Sequence, residues 1–402
     1  MHLFRSMGHV VGGTLLIAAT MVGVGMLGLP IATGPGGFLP ASVIYLITWV
    51  FMLCTGLLLL EVCTWMPKDA NLITMTHKLL GPIGQSLCWA VYLFLFFTAM
   101  IAHVSGGGHT MADLIQLASG VRIPEYAAMI GYVLLFSPVV YMGTRSVDRF
   151  NLFMMVIVLI TYFSFFFLSA GSVSTKNLSY INWSMAWPAL PVLFTAFTYQ
   201  LIIPTLMTYM NQNVKKVRLS IILGTSIPLV VYLVWELLIL GIIPVEKLIA
   251  AKAAGETAVM PLKDLLQNPW IFNIGSVFAF FVLTTSYVAL SLAFLDFLAD
   301  GLKVKKVGYK KVLLCLAIFI PPTIIALKYP DIFITALEYA GGISCALLFG
   351  LLPPLMVWIG RYVKKQKSTY GYQLKGGKVL LSVLMLFVFV ELGLQVMNQI
   401  YR

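Results

Sequence analysis

The chain has 402 residues, of which 60% are hydrophobic and 10% charged, and its mean hydropathy is +0.96. A soluble domain carries about 25% charged residues, so this composition excludes an ordinary soluble protein and indicates a polytopic membrane protein. The formal net charge of +12 comes from loops between apolar segments. We attribute it to membrane topology and contacts with lipid headgroups, and we expect no nucleic-acid partner.

Eleven apolar segments are near or above the roughly 20 residues needed to cross a bilayer. They lie at about 10–33, 38–66, 84–112, 125–143, 149–171, 187–210, 219–243, 270–300, 311–328, 332–359 and 379–400. With the N-terminus inside, nineteen of the 26 Lys and Arg residues fall on the inner side and seven, including Arg402, on the outer side. The positive-inside rule therefore predicts a cytoplasmic N-terminus and an outer C-terminus.

The first span contains Gly-Val-Gly-Met-Leu-Gly-Leu-Pro at residues 23–30. Three glycines followed by Pro30 weaken a helix at a depth where lipid offers no hydrogen-bond partners. Such a break is tolerated where the freed backbone groups face protein, water or a solute. Because transporters built from repeats bind their substrates at discontinuous helices, the break predicts a transporter with its cargo here. Close packing of helices on glycine is the alternative explanation.

The sixth span is interrupted as well. Pro188, Pro191 and Pro204 bracket four polar residues between positions 195 and 200. The second unit begins five spans after the first, and an odd number of spans per unit gives the two units opposite orientations. We therefore predict a single transmembrane domain over 1–402, built as an inverted repeat of about 10–171 and about 187–359 plus an extra helix at about 379–400.

A few ionisable side chains lie inside other spans. Burying the ionisable side chain of His103 in the third span costs free energy, and residues placed in this way are often functional. Substrate contact, proton coupling and a structural hydrogen bond between helices all stay open for it.

The most deeply placed carboxyl groups belong to Glu236 and Glu338. A buried acid is a reasonable proton carrier because burial disfavours its charged form, and a structural polar pair is the alternative. Glu338 is slightly favoured, because Glu-Tyr-Ala-Gly-Gly at 338–342 predicts another break.

An ordered set of motifs resembles the hydroxy and aromatic amino acid permeases, and most closely their tyrosine-specific branch. The set consists of the sequence at 23–30, Leu-Leu-Leu-Leu-Glu-Val at 57–62, Ser-Gly-Gly-Gly at 105–108, Phe-Thr-Ala-Phe at 194–197, Phe-Leu-Asp-Phe-Leu-Ala-Asp at 294–300 and Gly-Tyr-Gln-Leu-Lys-Gly-Gly-Lys at 371–378. The resemblance implies an all-α, leucine-transporter-like fold with eleven transmembrane helices, five plus five in an inverted repeat plus one extra. It also implies a proton-coupled importer of an aromatic amino acid, tyrosine first, in the bacterial inner membrane.

An amino acid substrate needs N–H donors for its carboxylate and acceptors for its ammonium group. The second half of an interrupted helix exposes its first amides, and its dipole favours an anion. The candidate donors are Val24, Gly25 and Met26, with Gly23 allowing close approach. The similar superfamily fold binds the ammonium group on backbone carbonyls, which here implies Thr20, Met21, Val22, Phe194, Thr195 and Ala196.

An aromatic side chain needs an apolar pocket with a few polar contacts. The candidates that line it are Phe194, Phe197, Tyr199 and Tyr339, with His103 and Gly107 from the third span. Aromatic residues make up 13% of the chain, and most of them are expected simply to pack helices.

In the leucine-transporter fold, a sodium ion lies between hydroxyl groups of the eighth span and carbonyls of the first break. Thr285 and Ser286 are therefore coupling candidates beside Glu236 and Glu338, since adjacent hydroxyls suit a hard cation. Sodium coupling stays open as an alternative to proton coupling, and tryptophan or serine as an alternative main substrate.

A non-transporting receptor or a channel is the hypothesis from another functional class. The chain carries neither His-Glu-x-x-His nor a nucleophile elbow, so we expect no enzyme, metal or cofactor. The sequence leaves the oligomeric state open.

Overall fold

The computed structural model describes residues 2–68, 70–263, 265, 269–368 and 370–400, without the side chains of 2–7 and 398–400. Arg402, which the charge count places outside, lies beyond the described residues. The described residues form helices and connecting turns, with no strand among them.

The first eight α-helices are His2–Met21 (α1), Val24–Thr33 (α2), Phe38–Cys63 (α3), Leu72–Ser119 (α4), Glu125–Met142 (α5), Thr144–Ser169 (α6), Thr175–Leu178 (α7) and Trp183–Ala186 (α8). The next nine are Leu190–Ala196 (α9), Ile203–Tyr209 (α10), Val214–Ile242 (α11), Val245–Ala253 (α12), Pro269–Gly301 (α13), Gly308–Lys328 (α14), Phe333–Tyr339 (α15), Leu352–Trp358 (α16) and Gly377–Ile400 (α17). Short 3₁₀ turns occupy Gly34–Gly36, Ala170–Ser172, Trp187–Ala189, Gln200–Ile202, Met260–Leu262 and Pro330–Ile332, and π-helical turns occupy Ala340–Leu351 and Ile359–Val363.

The eleven predicted spans are confirmed by length and composition. Among the described residues, ten helical segments are long and apolar enough to cross a membrane, and the bent pair Gly8–Met21 and Val24–Gly36 makes an eleventh. One start differs from its prediction, because the third helix begins at Leu72 and not near residue 84. Gly81 adopts a φ of 79° directly before Pro82, so the first turns of α4 form a separate helical segment that leads into the span.

The first span continues into the interior of the bundle. All ten residues of α2 are buried, and α2 packs against α9 of the sixth span. By contrast, α6 exposes large apolar side chains such as Phe153, Phe163 and Phe167, as expected of a helix that faces lipid. The α2 side of the interruption is therefore surrounded by protein, where freed backbone groups can find partners.

The predicted break at 338–342 is wrong. The helix continues from α15 into the π-helical turns Ala340–Leu351 and on into α16. Its two glycines allow close helix contacts instead: a Cβ atom on Gly341 would overlap the carbonyl oxygen of Pro191 in α9. One on Gly342 would lie 2.9 Å from the carboxyl group of Glu391 in α17. This is the close-packing explanation that small residues in membrane helices commonly have.

Candidate functional site

The first span is broken where its glycines predict. α1 ends at Met21 and α2 begins at Val24, and the two segments are bent by 54°. At such a break, the last carbonyls of one helix and the first amides of the next lose their intrahelical partners. The amide of Met26 donates to the carbonyl of Gly23 at 3.0 Å. Of the three predicted donors, Val24 and Gly25 are therefore the ones best placed to bind an anion.

The sixth span is also broken, as predicted. α9 ends at Ala196, and the 3₁₀ turn Gln200–Ile202 precedes α10. Side chains replace part of the lost hydrogen bonding: the amide of Tyr199 donates to the side-chain oxygen of Gln200 at 3.0 Å. The hydroxyl of Tyr199 and the side-chain amide of Gln200 both donate to the carbonyl of Met52 in α3, at 3.2 and 3.3 Å. The interruption is thus a defined conformation that α3 supports.

The two breaks lie against each other. A Cβ atom on Gly25 would lie 2.7 Å from the Cα atom of Ala196, so a side chain here would push the two backbones apart. The hydroxyl of Tyr232, on α11, lies 2.5 Å from the carbonyl oxygen of Met21 and 3.0 Å from that of Ala196. The last carbonyls of α1 and α9 therefore converge on one donor position.

The predicted acceptor residues divide into two groups. Met21 and Ala196 supply the converging carbonyls, and Val22 lies in the break itself. The second group is Phe194, whose carbonyl accepts from a hydroxyl of its own span at 2.7 Å, and the two threonines, whose hydroxyl groups bond elsewhere. The exposed Thr20 donates to the preceding turn of α1 at 2.8 Å, and Thr195 donates to a carbonyl of α15 at 2.9 Å.

The predicted aromatic residues face different neighbours. Phe197 packs edge-on against Tyr232, with 5.3 Å between ring centroids, and so lies beside the converging carbonyls. Phe194 packs edge-on against a phenylalanine of α3 at 5.2 Å. Tyr339 is half-buried, 6.5 Å from a phenylalanine ring of α4. In this conformation Phe194 and Tyr339 thus contact rings of other helices, and Tyr199 bonds α3.

His103 belongs to a buried polar cluster between α4, α5 and α13. Its Nδ1 lies 2.7 Å from the carbonyl of Ala99, which makes Nδ1 the donor and Nε2 an acceptor in the neutral ring. Within the described part of the chain, neither that Nε2 nor the hydroxyl of Tyr287 has a hydrogen-bond partner. The two rings are 6.3 Å apart, and the ring of Tyr132 lies 5.0 Å from Tyr287. Gly107 packs directly against Tyr132.

The two hydroxyl residues of the predicted cation site differ in their surroundings. A Cβ atom on Gly23 would lie 2.6 Å from the Oγ atom of Ser286, so α13 touches the first break at this serine. The hydroxyl of Thr285 donates to the carbonyl of Val282 within α13 at 3.0 Å. The oxygen of Ser286 is therefore the one of the two that the structure places directly against the break.

The fully buried Glu236 on α11 bonds the end of α2 and a side chain of α3. The hydroxyl of Tyr45 on α3 donates to its Oε2 at 2.6 Å, and the hydroxyl of Thr33 bonds its Oε1. Thr33 is the last residue of α2, so Glu236 holds the far end of the helix that begins at the break. Glu236 is also one turn beyond Tyr232 on the same face of α11.

The other predicted carboxyl group, that of Glu338, pairs with a lysine. Its Oε1 lies 3.8 Å from the Nζ of Lys252, which comes from the connection that contains α12. The structural polar pair that is the alternative to a proton carrier is therefore present at Glu338.

Two cavities among the described residues lie away from the breaks. A polar cavity of about 340 Å³ lies where α4 ends and α5 begins, lined by residues that include Asp113, Arg122 and Lys263. An apolar groove of about 560 Å³ lies between α5 and α14. Neither lining includes a described residue of either break, and the hydroxyl of Tyr232 lies at the carbonyls themselves.

Three comparisons place the chain among known proteins. The profile of the tryptophan/tyrosine permease family matches residues 7–395. The tyrosine-specific transport system 1 of Haemophilus influenzae is 30% identical over 96% of each chain. The tryptophan-specific transport protein of Pseudomonas aeruginosa is 28% identical over 94% of this chain and 92% of its own.

A solved structure supports the fold. The manganese transporter of Eremococcus coleocola matches with a TM-score of 0.64 at 14% identity, covering 98% of this chain and 87% of that one. At this identity the match concerns the fold alone. Together with the eleven spans and the two broken ones, it shows a multi-pass membrane protein with a leucine-transporter-like fold. Since the matching profile is that of permeases and covers nearly the whole sequence, the protein is a transporter and not an enzyme, and it belongs to the tryptophan/tyrosine permease family.

Proposed function

We propose that this permease is a secondary active importer of an aromatic amino acid, with tyrosine as its main substrate, and that it works by proton symport. The observation that carries the proposal is the convergence of the Met21 and Ala196 carbonyls, next to the first amides of α2. Acceptors for an ammonium group and donors for a carboxylate thus lie in one place, and all amino acids carry both groups. The names of the relatives supply the aromatic class.

The ammonium group binds the carbonyls of Met21 and Ala196, and the carboxylate binds the amides of Val24 and Gly25. The polar cluster supports a substrate with a hydrogen-bonding group on its ring. His103 Nε2 and the Tyr287 hydroxyl are buried without a hydrogen-bond partner among the described residues. A ligand that forms hydrogen bonds with them removes the free-energy cost of leaving them unsatisfied. Tyrosine and tryptophan carry a ring O–H or N–H donor, and phenylalanine carries none.

Glu236 is the proposed proton carrier, because its neighbours satisfy it in both protonation states. When the carboxylate is charged, Tyr45 and Thr33 donate to its two oxygens. When it is protonated, it donates to the oxygen of Thr33, and the Thr33 hydroxyl turns to the carbonyl of Leu29, which lies 2.7 Å away. No donor or acceptor of this group is left unpaired in either state, so a proton can come and go without an unsatisfied buried group.

Transport then follows alternating access. The bundle rocks around the two broken spans, as in other transporters with interrupted helices at mid-membrane. The distribution of Lys and Arg supports a cytoplasmic N-terminus and an outer C-terminus in a bacterial inner membrane. Each unit of the proposed repeat, about 10–171 and about 187–359, contributes one of the two broken spans.

Sodium coupling is the second candidate, and the position of Ser286 favours it. Its hydroxyl oxygen lies against Gly23, where a cation would find the carbonyls at the end of α1 and the oxygen of Ser286 together. Proton coupling is preferred because Glu236 offers a titratable group in contact with the end of the same broken span.

Saturable uptake and competition test the substrate. Purified protein in liposomes is given labelled tyrosine, with unlabelled tryptophan, phenylalanine, serine and glutamine as competitors. We expect saturable tyrosine uptake that tryptophan inhibits strongly and phenylalanine inhibits about tenfold less well, the difference that one hydrogen bond in a buried polar site gives. Strong inhibition by serine or glutamine with no effect of tryptophan would contradict the aromatic assignment. Uptake that never saturates would indicate a channel.

A further inference from the structure

Tyr232 occupies the position at which the two broken spans present their carbonyls. It is fully buried on α11, and its ring is fixed edge-on against Phe197. A phenol has a single proton to donate, yet its oxygen lies within hydrogen-bond distance of both Met21 and Ala196. At any moment the Tyr232 hydroxyl can therefore donate its proton to only one of these two carbonyls.

The two acceptors suit a cation better than a phenol. Both carbonyls lie at the C-terminal ends of helices, α1 and α9, where the helix dipole is negative. An ammonium group carries three N–H donors and a positive charge, so it can satisfy both carbonyls at once. Bonds to a charged group are also stronger than bonds between neutral groups.

We propose that the Tyr232 hydroxyl stands in for the substrate's ammonium group and competes with it for the carbonyls of Met21 and Ala196. This inference rests on the proposed function. In the empty transporter, Tyr232 supplies a donor to the carbonyls and joins the two broken spans. A substrate binds when its ammonium group displaces that hydroxyl, and the hydroxyl helps to displace the substrate afterwards. Tyr232 thereby weakens binding of the ammonium group and sets the affinity for the amino acid.

The experiment compares Tyr232→Phe with wild type and with a matched control. Tyr162→Phe is the control, because the Tyr162 hydroxyl donates to the carbonyl of Val231 on α11 at 3.2 Å and contacts neither break. Kinetic constants are measured for the aromatic amino acid that wild type takes up. Inhibition is measured with its analogue that lacks the amino group, and with the amine that lacks the carboxylate.

Removal of the competing hydroxyl should strengthen binding of the ammonium group. We expect Tyr232→Phe to lower KM for the amino acid and the inhibition constant of the amine by about fivefold, the value of one net hydrogen bond. The analogue without an amino group should inhibit as in wild type. Vmax should fall because product release slows, and Tyr162→Phe should change none of these values.

A structural role alone would give a different pattern. If Tyr232→Phe raises KM, leaves it unchanged, or shifts all three ligands by one common factor, the proposal is overturned. If Tyr232→Phe does not fold, 3,5-difluorotyrosine at position 232 decides, since it keeps the hydroxyl and makes it a stronger donor. That variant should raise KM, and an unchanged or lower KM overturns the proposal. Failure of wild type to take up any amino acid would instead overturn the proposed function.

Discussion

Two side chains on α11 contact both halves of the broken first span. Tyr232 bonds the carbonyl of Met21 at the end of α1, and Glu236 bonds the hydroxyl of Thr33 at the end of α2. Because the two side chains are one helical turn apart, any change in the angle between α1 and α2 must break one of these bonds or move α11. The helix α11 therefore connects the proposed substrate position, at Tyr232, with the proposed proton carrier, Glu236.

A Glu236→Gln change should separate exchange from gradient-driven transport. Glutamine resembles the protonated acid in shape but cannot release a proton. We expect uptake driven by a proton gradient to fall at least tenfold, while exchange of labelled for unlabelled substrate at equal pH is retained. The matched control is Glu391→Gln, another buried intramembrane glutamate, whose carboxyl oxygens have no hydrogen-bond partner among the described residues. Gradient-driven uptake at the wild-type rate in Glu236→Gln would exclude this residue as the carrier.

A Gly25→Ala change should block transport by separating the two breaks. The added methyl group would meet the backbone of Ala196, which cannot move aside as a flexible side chain can. Overpacking of this kind costs about 1–3 kcal/mol, and here it also shifts the carbonyl of Ala196. We expect uptake to fall at least tenfold with normal amounts of protein in the membrane, measured by labelled uptake and immunoblotting. Gly393→Ala is the control, because its surroundings leave open space. Equal uptake by the two variants would remove the proposed contact.

At the scale of elements, apolar length and helix-breaking residues were sufficient to predict the spans and both interruptions. The tight turn at Gly81, which begins α4 earlier, was not predicted because the same apolar pattern continues across it. Nor were the π-helical turns after Ala340, since glycine pairs mark either a break or a close contact and only the neighbouring helices decide between them. Tyr232 was missed because its partners lie 211 and 36 residues away in sequence. Its spacing of four from Glu236 was the available signal.

A buried ion pair anchors the end of α3 to the segment before α17. The carboxylate of Glu61 accepts from Nε and Nη2 of Arg361, at 2.7 and 2.5 Å, and from the amide of Leu374 at 2.8 Å. Arg361→Met leaves a buried charge unpaired, which costs about 3–5 kcal/mol. We expect thermal unfolding in detergent to begin at a clearly lower temperature than in wild type.

The exposed pair between Lys306 and Asp296 provides the control for that change. The Nζ of Lys306 lies 2.7 Å from Oδ1 of Asp296, but both side chains are more than 40% exposed. Lys306→Met should therefore lower the free energy of unfolding by only about 0–1 kcal/mol. If the two methionine variants unfold at the same temperature, the Glu61–Arg361 pair does not stabilise the fold as described.

At the scale of the whole molecule, the fold and the family could be predicted from the sequence, and the coupling ion could not. The order of motifs and the two breaks identify a leucine-transporter-like permease, because both depend on local sequence. The ion depends on which polar groups contact the broken first span, and these contacts are distant in sequence: Ser286 lies against the break at Gly23, and Glu236 bonds Thr33 at the far end of α2. Packing brings these groups together, so the choice between proton and sodium rests on transport measurements.

The most direct measurement is accumulation of labelled tyrosine in liposomes that contain the purified wild-type protein. An inward proton gradient is imposed, with and without sodium, and then removed with a protonophore. We expect saturable accumulation above the external concentration that needs no sodium and collapses with the protonophore. Accumulation that requires sodium would contradict proton coupling through Glu236 and support sodium coupling at the site beside Ser286. Equilibration without accumulation, or no uptake at all, would contradict symport through the two broken spans.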